Sequence, residues 1–269
     1  MWTQEMFHVE KPIIALLHLD ALPGDPGYCG NLDTVLQHAR ADLTALQCGG
    51  VDGLLFANEF SLPYQPVADI AMISAMAYII GTLKAEIQIP FGVNVVKNPI
   101  ATIDLGAATG AKFGRSCFSG AYMGEYGLYS SNSGEALRHR KALGIEDFKL
   151  LFKVNPEADT YLVQRDIKVV AKSIMFGGFA DGLCVSGAAA GCEPDDSIMR
   201  AVHSVASPRQ VPVFCNTGCN HENVRDKLMH CDGVCMGTAF KKDGRFDGRV
   251  DEARVRNFME IVREIRANA

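Results

Sequence analysis

The chain has 269 residues, 48% hydrophobic and 21% charged, with a formal net charge of −5. This is the balance of an ordinary globular protein, and it excludes the basic footprint of a nucleic-acid binder and gives no reason to expect a basic partner. The length suits one large core, so a single domain over residues 1–269 is expected. Met1 to Lys11 carries Glu5, His8 and Glu10 and lacks the apolar run of a secretory signal, which points to the cytoplasm.

Short apolar runs then alternate with amphipathic segments, the rhythm of βα units around a parallel sheet. A first strand is predicted from Ile13, followed by a Pro- and Gly-rich stretch from His18 to Gly30. The first helix carries Leu32, Leu36, Ala39, Leu43 and Leu46 at steps of four and three, with Gly49 as its stop. Further strands are predicted from Gly53, Phe91, Phe113, Leu150, Gly182, Val211 and Gly233. The apolar segment Ile70 to Leu83 falls short of the roughly 20 residues that cross a bilayer, so it reads as a buried helix and no membrane span is expected. In the last helix Asp251 is a plausible N-cap, and Val255, Met259, Val262 and Ile265 form the apolar stripe.

Eight such units make an α/β chain forming one (β/α)8 TIM barrel of the phosphate-binding type. Asp-Gly recurs ahead of three even-numbered strands, at Asp52, Asp181 and Asp232, a weak internal echo that is also a common turn. An open doubly wound sheet is disfavoured because no G-x-G-x-x-G follows the first strand, and no P-loop is present.

In a barrel of this type the chemistry sits at the C-terminal ends of the strands. There the sequence places His18 and Asp20 (first strand), Asn58 and Glu59 (second), Asn94 and Lys97 (third), Arg115 (fourth) and Lys153 and Asn155 (fifth). His18 and Glu59 are candidates for moving protons, and Asn94 for orienting a hydroxyl or oxyanion. Arg115 and Lys153 must meet an anion or an internal carboxylate such as Glu59 or Asp20; Lys153 is also a Schiff-base candidate if its surroundings lower its pKa. The bland alternatives are a loop hydrogen bond for His18 and helix capping for Glu59.

At the last strands, apolar runs end in glycine beside threonine, which lets backbone N–H groups approach an anion. Asn216, Thr217, Gly218, Gly237 and Thr238 are therefore candidate phosphate-binding residues. The segment from Cys117 to Asn132, with Tyr122, Tyr126 and Tyr129 among glycines and serines, reads as a lid. Nine cysteines at scattered spacings match no usual structural zinc pattern and read as reduced core thiols.

The chain resembles the BtpA family over nearly its whole length. The likeness rests on His18-Leu-Asp-Ala-Leu-Pro-Gly24, Gly92-Val-Asn-Val-Val-Lys-Asn98, Val185-Ser-Gly187, Asn216-Thr-Gly218 and Gly237-Thr-Ala-Phe-Lys-Lys-Asp-Gly244. The resemblance implies a ribulose-phosphate-binding barrel with a phosphate site near Ser186, Gly187, Thr217, Gly218, Gly237 and Thr238, which adds Ser186 and Gly187 to the candidate phosphate-binding residues, and it leaves the reaction open. Pentose-phosphate epimerases of related fold hold a metal on His and Asp ligands; here Asn94 and Asn216 stand where further ligands would be needed, so a divalent metal is an open question.

Two readings follow. The first is an enzyme acting on a phosphorylated sugar or nucleoside-like molecule by isomerisation, epimerisation or aldol-type cleavage. The second is a non-catalytic assembly or stability factor that keeps the barrel, for which an exposed apolar patch and a filled pocket would speak. A closed homo-oligomer is expected on general grounds.

Overall fold

The computed structural model describes residues 1–189 and 191–268. In chain order it contains α1 (Trp2–Phe7), β1 (Ile13–His18), α2 (Leu32–Gly49), β2 (Gly53–Ala57), α3 (Ile70–Leu83), β3 (Phe91–Asn94), α4 (Pro99–Thr109) and β4 (Phe113–Ser116). Then come β5 (Gly120–Gly124), β6 (Gly127–Ser131), α5 (Ser133–Ala142), β7 (Lys149–Asn155), β8 (Asp159–Tyr161), α6 (Ile167–Gly177) and β9 (Gly182–Val185). The chain closes with α7 (Asp196–Ala206), β10 (Val213–Cys215), α8 (Val224–Met229), β11 (Gly233–Met236) and α9 (Glu252–Ala267).

Eight parallel strands form a closed barrel in the order β1-β11-β10-β9-β7-β4-β3-β2. Six begin at the residue the sequence indicates. The fifth begins one residue earlier, at Lys149, and the seventh two later, at Val213, because Pro212 cannot donate to the ladder. Within the first helix, Gly49 remains helical and Gly50 is the left-handed cap at φ 88°. Gly49 instead lets α9 approach, since a Cβ there would overlap Val255.

The Asp-Gly echo has a physical basis at the barrel's lower end. Asp52, Asp181 and Asp232 each accept a backbone N–H from the first or second residue of the preceding barrel strand, Ile13 (2.8 Å), Leu150 (2.9 Å) and Val213 (2.9 Å). The glycine that follows each makes room for an aromatic or leucine side chain inside the barrel: Phe7, Leu151 and Phe214 would meet a Cβ at Gly53, Gly182 and Gly233. The sequence reading passed over α1, which plugs this end with Phe7 against Phe113 and the Trp2 indole N–H on the Asp181 carbonyl (2.7 Å).

Side chains two apart on a strand share a face, and this carries the barrel interior from apolar to polar. Phe113 is followed by Arg115, Leu151 by Lys153, Phe214 by Asn216, and Ile14 and Leu16 by His18. The lower layers are greasy and the top layer is ionic.

The segment from Cys117 to Asn132 is no irregular lid. β5 and β6 form a hairpin that β8 extends into a three-stranded antiparallel sheet, ordered β6-β5-β8. Tyr122 stacks on Tyr129 and packs on Tyr161, burying Tyr122 completely and giving the sheet a small core of its own. Cys117, Tyr126, Tyr129 and Asp159 of this segment and sheet face the pocket.

Candidate active site

A cavity of about 450 Å³ opens at the C-terminal end of the barrel. Of the sequence candidates, His18, Glu59, Asn94, Arg115, Lys153, Asn216, Thr217, Gly218, Gly237 and Thr238 line it. Asp20, Ser186 and Gly187 do not.

Each exclusion has a cause. β1 ends at His18, so the alternation that would aim Asp20 inward stops, and Asp20 pairs outside with Arg249 (2.7 Å) and His38 (2.6 Å). Ser186 exchanges backbone hydrogen bonds with the Asn155 amide (2.7 and 3.0 Å), which ties β9 to β7 behind the pocket wall. The Gly187 N–H is taken by the Thr217 hydroxyl (2.9 Å), and a Cβ at Gly187 or Gly218 would strike the Cys192 carbonyl. Those two glycines therefore accommodate the loop after β9.

The floor is one connected polar network. Arg115, only 2% exposed, donates from Nη1 to Asn216 Oδ1 (2.7 Å), reaching across the barrel from β4 to the end of β10. In the amide orientation that satisfies both groups, Asn94 accepts from Arg115 Nη2 (3.2 Å). Asn216 donates to Glu157 Oε1 (2.9 Å) and to Ser186 Oγ (2.8 Å), and Lys153 donates to Glu157 Oε2 (2.6 Å).

Glu157 is the residue the sequence reading missed, and it changes the role of Lys153. Burial by itself would depress Lys153, but the adjacent Glu157 carboxylate outweighs it and holds the ammonium above its ordinary pKa. Burial would likewise raise Glu157, and the charges of Lys153 and Arg115 hold it below the usual carboxylate range. Lys153 is thus a charged ammonium in an ion pair, contrary to the lowered pKa that a Schiff-base lysine needs. The signal was present in the sequence, because Glu157 lies four positions after Lys153, just past the same strand end.

His18 is wedged between Phe60 and Phe246, with ring centroids 6.1 and 5.7 Å away, and neither ring nitrogen has a partner among the described residues. It does not tie down the loop after β1; Asp25 does that, accepting from Leu22 N–H and the Ser61 hydroxyl at 2.6 Å each. Burial, followed by the charges of Lys241, Arg115 and Arg249, drives the His18 pKa well below its ordinary value and keeps the imidazole neutral. Lys241, buried beside the same two phenylalanines, is pushed down to about 8 by burial and then by Arg249.

The side wall adds groups that the strand-end inventory did not rank. Lys97 takes a left-handed backbone (φ 63°), uncommon for a residue with a side chain. Its ammonium meets Asp159 at 2.8 Å and lies over the Tyr126 and Tyr129 rings at 4.9 and 4.7 Å, pinning the small sheet to the barrel. Tyr64 crosses the mouth to meet Tyr126 edge-on (centroids 5.2 Å), and its hydroxyl donates to the Glu59 carbonyl (2.9 Å) and carboxylate (3.3 Å). Glu59 does not cap a helix, since Asp69 holds the N-cap position of α3. At the opposite rim, beside Gly218, Thr238 and Ala239, stands Arg254, whose Nε donates to the Ala239 carbonyl (3.0 Å). It sits in the first turn of α9, where the sequence pattern marks only a water-facing position.

A metal set of His and Asp does not assemble here. Asp20 is turned away from His18, and among the described residues no three His, Cys, Asp or Glu side chains converge. Six of the nine cysteines are buried as free thiols. Among the described residues no helix is long and apolar enough to cross a membrane.

The BtpA family model matches residues 9–264. The chain is 47% identical to the sgc region protein SgcQ of Escherichia coli over 98% of this chain and 99% of that protein. It is 30% identical to the photosystem I biogenesis protein BtpA of Synechocystis over 97% of this chain and 91% of that one. Among solved structures, phosphoribosyl anthranilate isomerase from Thermus thermophilus superposes with a TM-score of 0.56 at 11% identity, covering 94% of this chain and all of the other. That last likeness is one of fold.

Proposed function

The chain belongs to the BtpA family, and from that premise we propose that it is an enzyme that moves a proton next to a carbonyl or hydroxyl of a phosphorylated small molecule, a sugar phosphate or nucleoside-like phosphate. The reaction class is isomerisation, epimerisation or aldol-type cleavage. The observation that carries this reading is the buried ionic floor, in which Arg115, Lys153, Glu157, Asn94 and Asn216 converge beneath an open cavity. Its members satisfy one another except at Arg115 Nε, which has no partner among the described residues, and preorganised cations of this kind suit charge that develops on a ligand.

In this reading Glu59 is the base. Its carboxylate lines the cavity without a cationic partner among the described residues, and Tyr64 orients it. Arg115, with Lys153 behind it, stabilises the oxyanion that forms as the proton leaves. Neutral His18 serves as a hydrogen-bond donor or acceptor to the substrate, a role suited to an imidazole that stays uncharged. The phosphate lies at the rim formed by Gly218, Gly237, Thr238 and Ala239, with Arg254 beside it.

The test is deuterium uptake from heavy water into a panel of sugar phosphates, followed by NMR. Exchange into one compound with wild type, lost in Glu59→Gln, supports the reading; no exchange and no conversion across the panel counts against it. One observation favours the factor reading: Phe176 and Phe179 are 88% and 69% exposed side by side on the outside of the barrel. The open cavity tips the balance to the enzyme.

A further inference from the structure

Charge accounting in the cavity narrows the substrate. The cavity is lined by four cationic side chains, Lys97, Arg115, Lys153 and Arg254, and three carboxylates, Glu59, Glu157 and Asp159, while His18 is neutral. Lys97 is matched by Asp159 and Lys153 by Glu157. Left over are one carboxylate without a cation, Glu59, and two guanidiniums without a carboxylate in contact among the described residues: Arg254 at the rim and Arg115 in the floor.

The two differ in what they need. Arg254 is half-buried, and a phosphate at the rim supplies its counter-ion. Among the described residues, Arg115, 2% exposed, is met directly only by the neutral amides of Asn216 and Asn94, and its buried Nε–H has no acceptor. Its one neighbouring carboxylate, Glu157, is already engaged by the closer Lys153. A phosphate at the rim leaves the buried Arg115 guanidinium with no anion in direct contact, a costly state that a second anion on the same ligand would relieve. Planar guanidinium recognition matches a carboxylate.

We infer that the substrate carries two anionic groups, a phosphate for the rim and a carboxylate for the Arg115 floor: a phosphorylated sugar acid. The inference rests on the proposed phosphate-binding reading and specifies its substrate. With the carboxylate on Arg115 and the phosphate at Arg254, the carbons between them are held under Glu59 and His18.

The experiment compares matched pairs that differ only at the terminal carbon: three- to six-carbon aldonate phosphates against the alditol phosphates of equal length, from 3-phosphoglycerate with glycerol 3-phosphate up to 6-phosphogluconate with glucitol 6-phosphate. Affinities are read by calorimetry. At the length that fits, the aldonate phosphate is expected to bind at least about tenfold more tightly, the scale of one charge-assisted contact. Arg115→Gln is expected to abolish that preference while keeping alditol phosphate binding; Arg254→Ala weakens both members of a pair alike. Equal affinity within every pair overturns the inference and leaves the phosphate reading standing. Binding of neither member at any length overturns both. The wild-type comparison is decisive even if Arg115→Gln fails to fold.

Discussion

Glu157→Gln isolates the electrostatics of the floor. The amide keeps the shape and can still accept from Asn216, but it deletes the carboxylate that faces both Lys153 and Arg115. Removing one member of a buried pair costs ~3–5 kcal/mol. With the Lys153 and Glu157 side chains 13% and 15% exposed, some screening remains, and about 3 kcal/mol is the appropriate figure. Spread over 269 residues at ~2.1 cal/mol/K each, that lowers Tm by about 5 °C. Urea unfolding measures the loss. The paired change Lys153→Met with Glu157→Leu should recover at least half of it, because no lysine charge is then left stranded. With Glu157 absent, burial and Arg115 dominate Lys153, whose pKa then falls below its ordinary value, so borohydride trapping of an added aldehyde at pH 8 should be faster in Glu157→Gln. A single variant within ~0.5 kcal/mol of wild type, outside the range for a buried pair, would refute this account of the floor.

Other consequences are separately measurable. The unfolded chain binds a proton at His18 near pH 6.5 that the folded chain refuses, so stability should fall as pH drops below about 6.5, and His18→Phe should flatten that part of the urea-midpoint profile. Lys241 acts at the other end: with its folded pKa near 8 and an ordinary value of about 10.5, it should make stability rise between those pH values, an increase absent in Lys241→Met. Glu59→Gln should lower turnover by ~10²–10⁴ with ligand-induced thermal shifts retained. Phe176→Ser with Phe179→Ser should reduce any assembly of the wild type seen by light scattering, because both rings stand exposed on one face.

The barrel was legible because its strands are apolar runs set off by glycine and proline, and the period alone places the eight units. The recurrent Asp-Gly carried more than turn preference: each aspartate ties an N–H at the start of the preceding strand. The top of the barrel was legible as far as the alternation along β4, β7 and β10 extends, which is why Arg115, Lys153 and Asn216 fall in the pocket. Asp20 fell outside because β1 ends two residues before it and ion pairs beyond the barrel then claim it. Glu157 and Arg254 reach the cavity through a loop and a helix turn whose direction no periodicity reports. The sheet of β5, β6 and β8 was hidden for a related reason: its third strand is distant in sequence, pairing Tyr161 with Tyr122 across the whole of α5 and β7.

The central claim, a phosphorylated ligand held at the C-terminal end of this barrel, is tested most directly by a thermal-shift screen of sugar and nucleoside phosphates beside their unphosphorylated counterparts, with wild type and Arg254→Ala. At least one phosphate ester should raise the Tm of wild type while its unphosphorylated counterpart does not, and Arg254→Ala should need about tenfold or more ligand for the same shift, as expected for loss of a charge-assisted contact. A panel in which no phosphorylated compound outperforms its counterpart would contradict the claim.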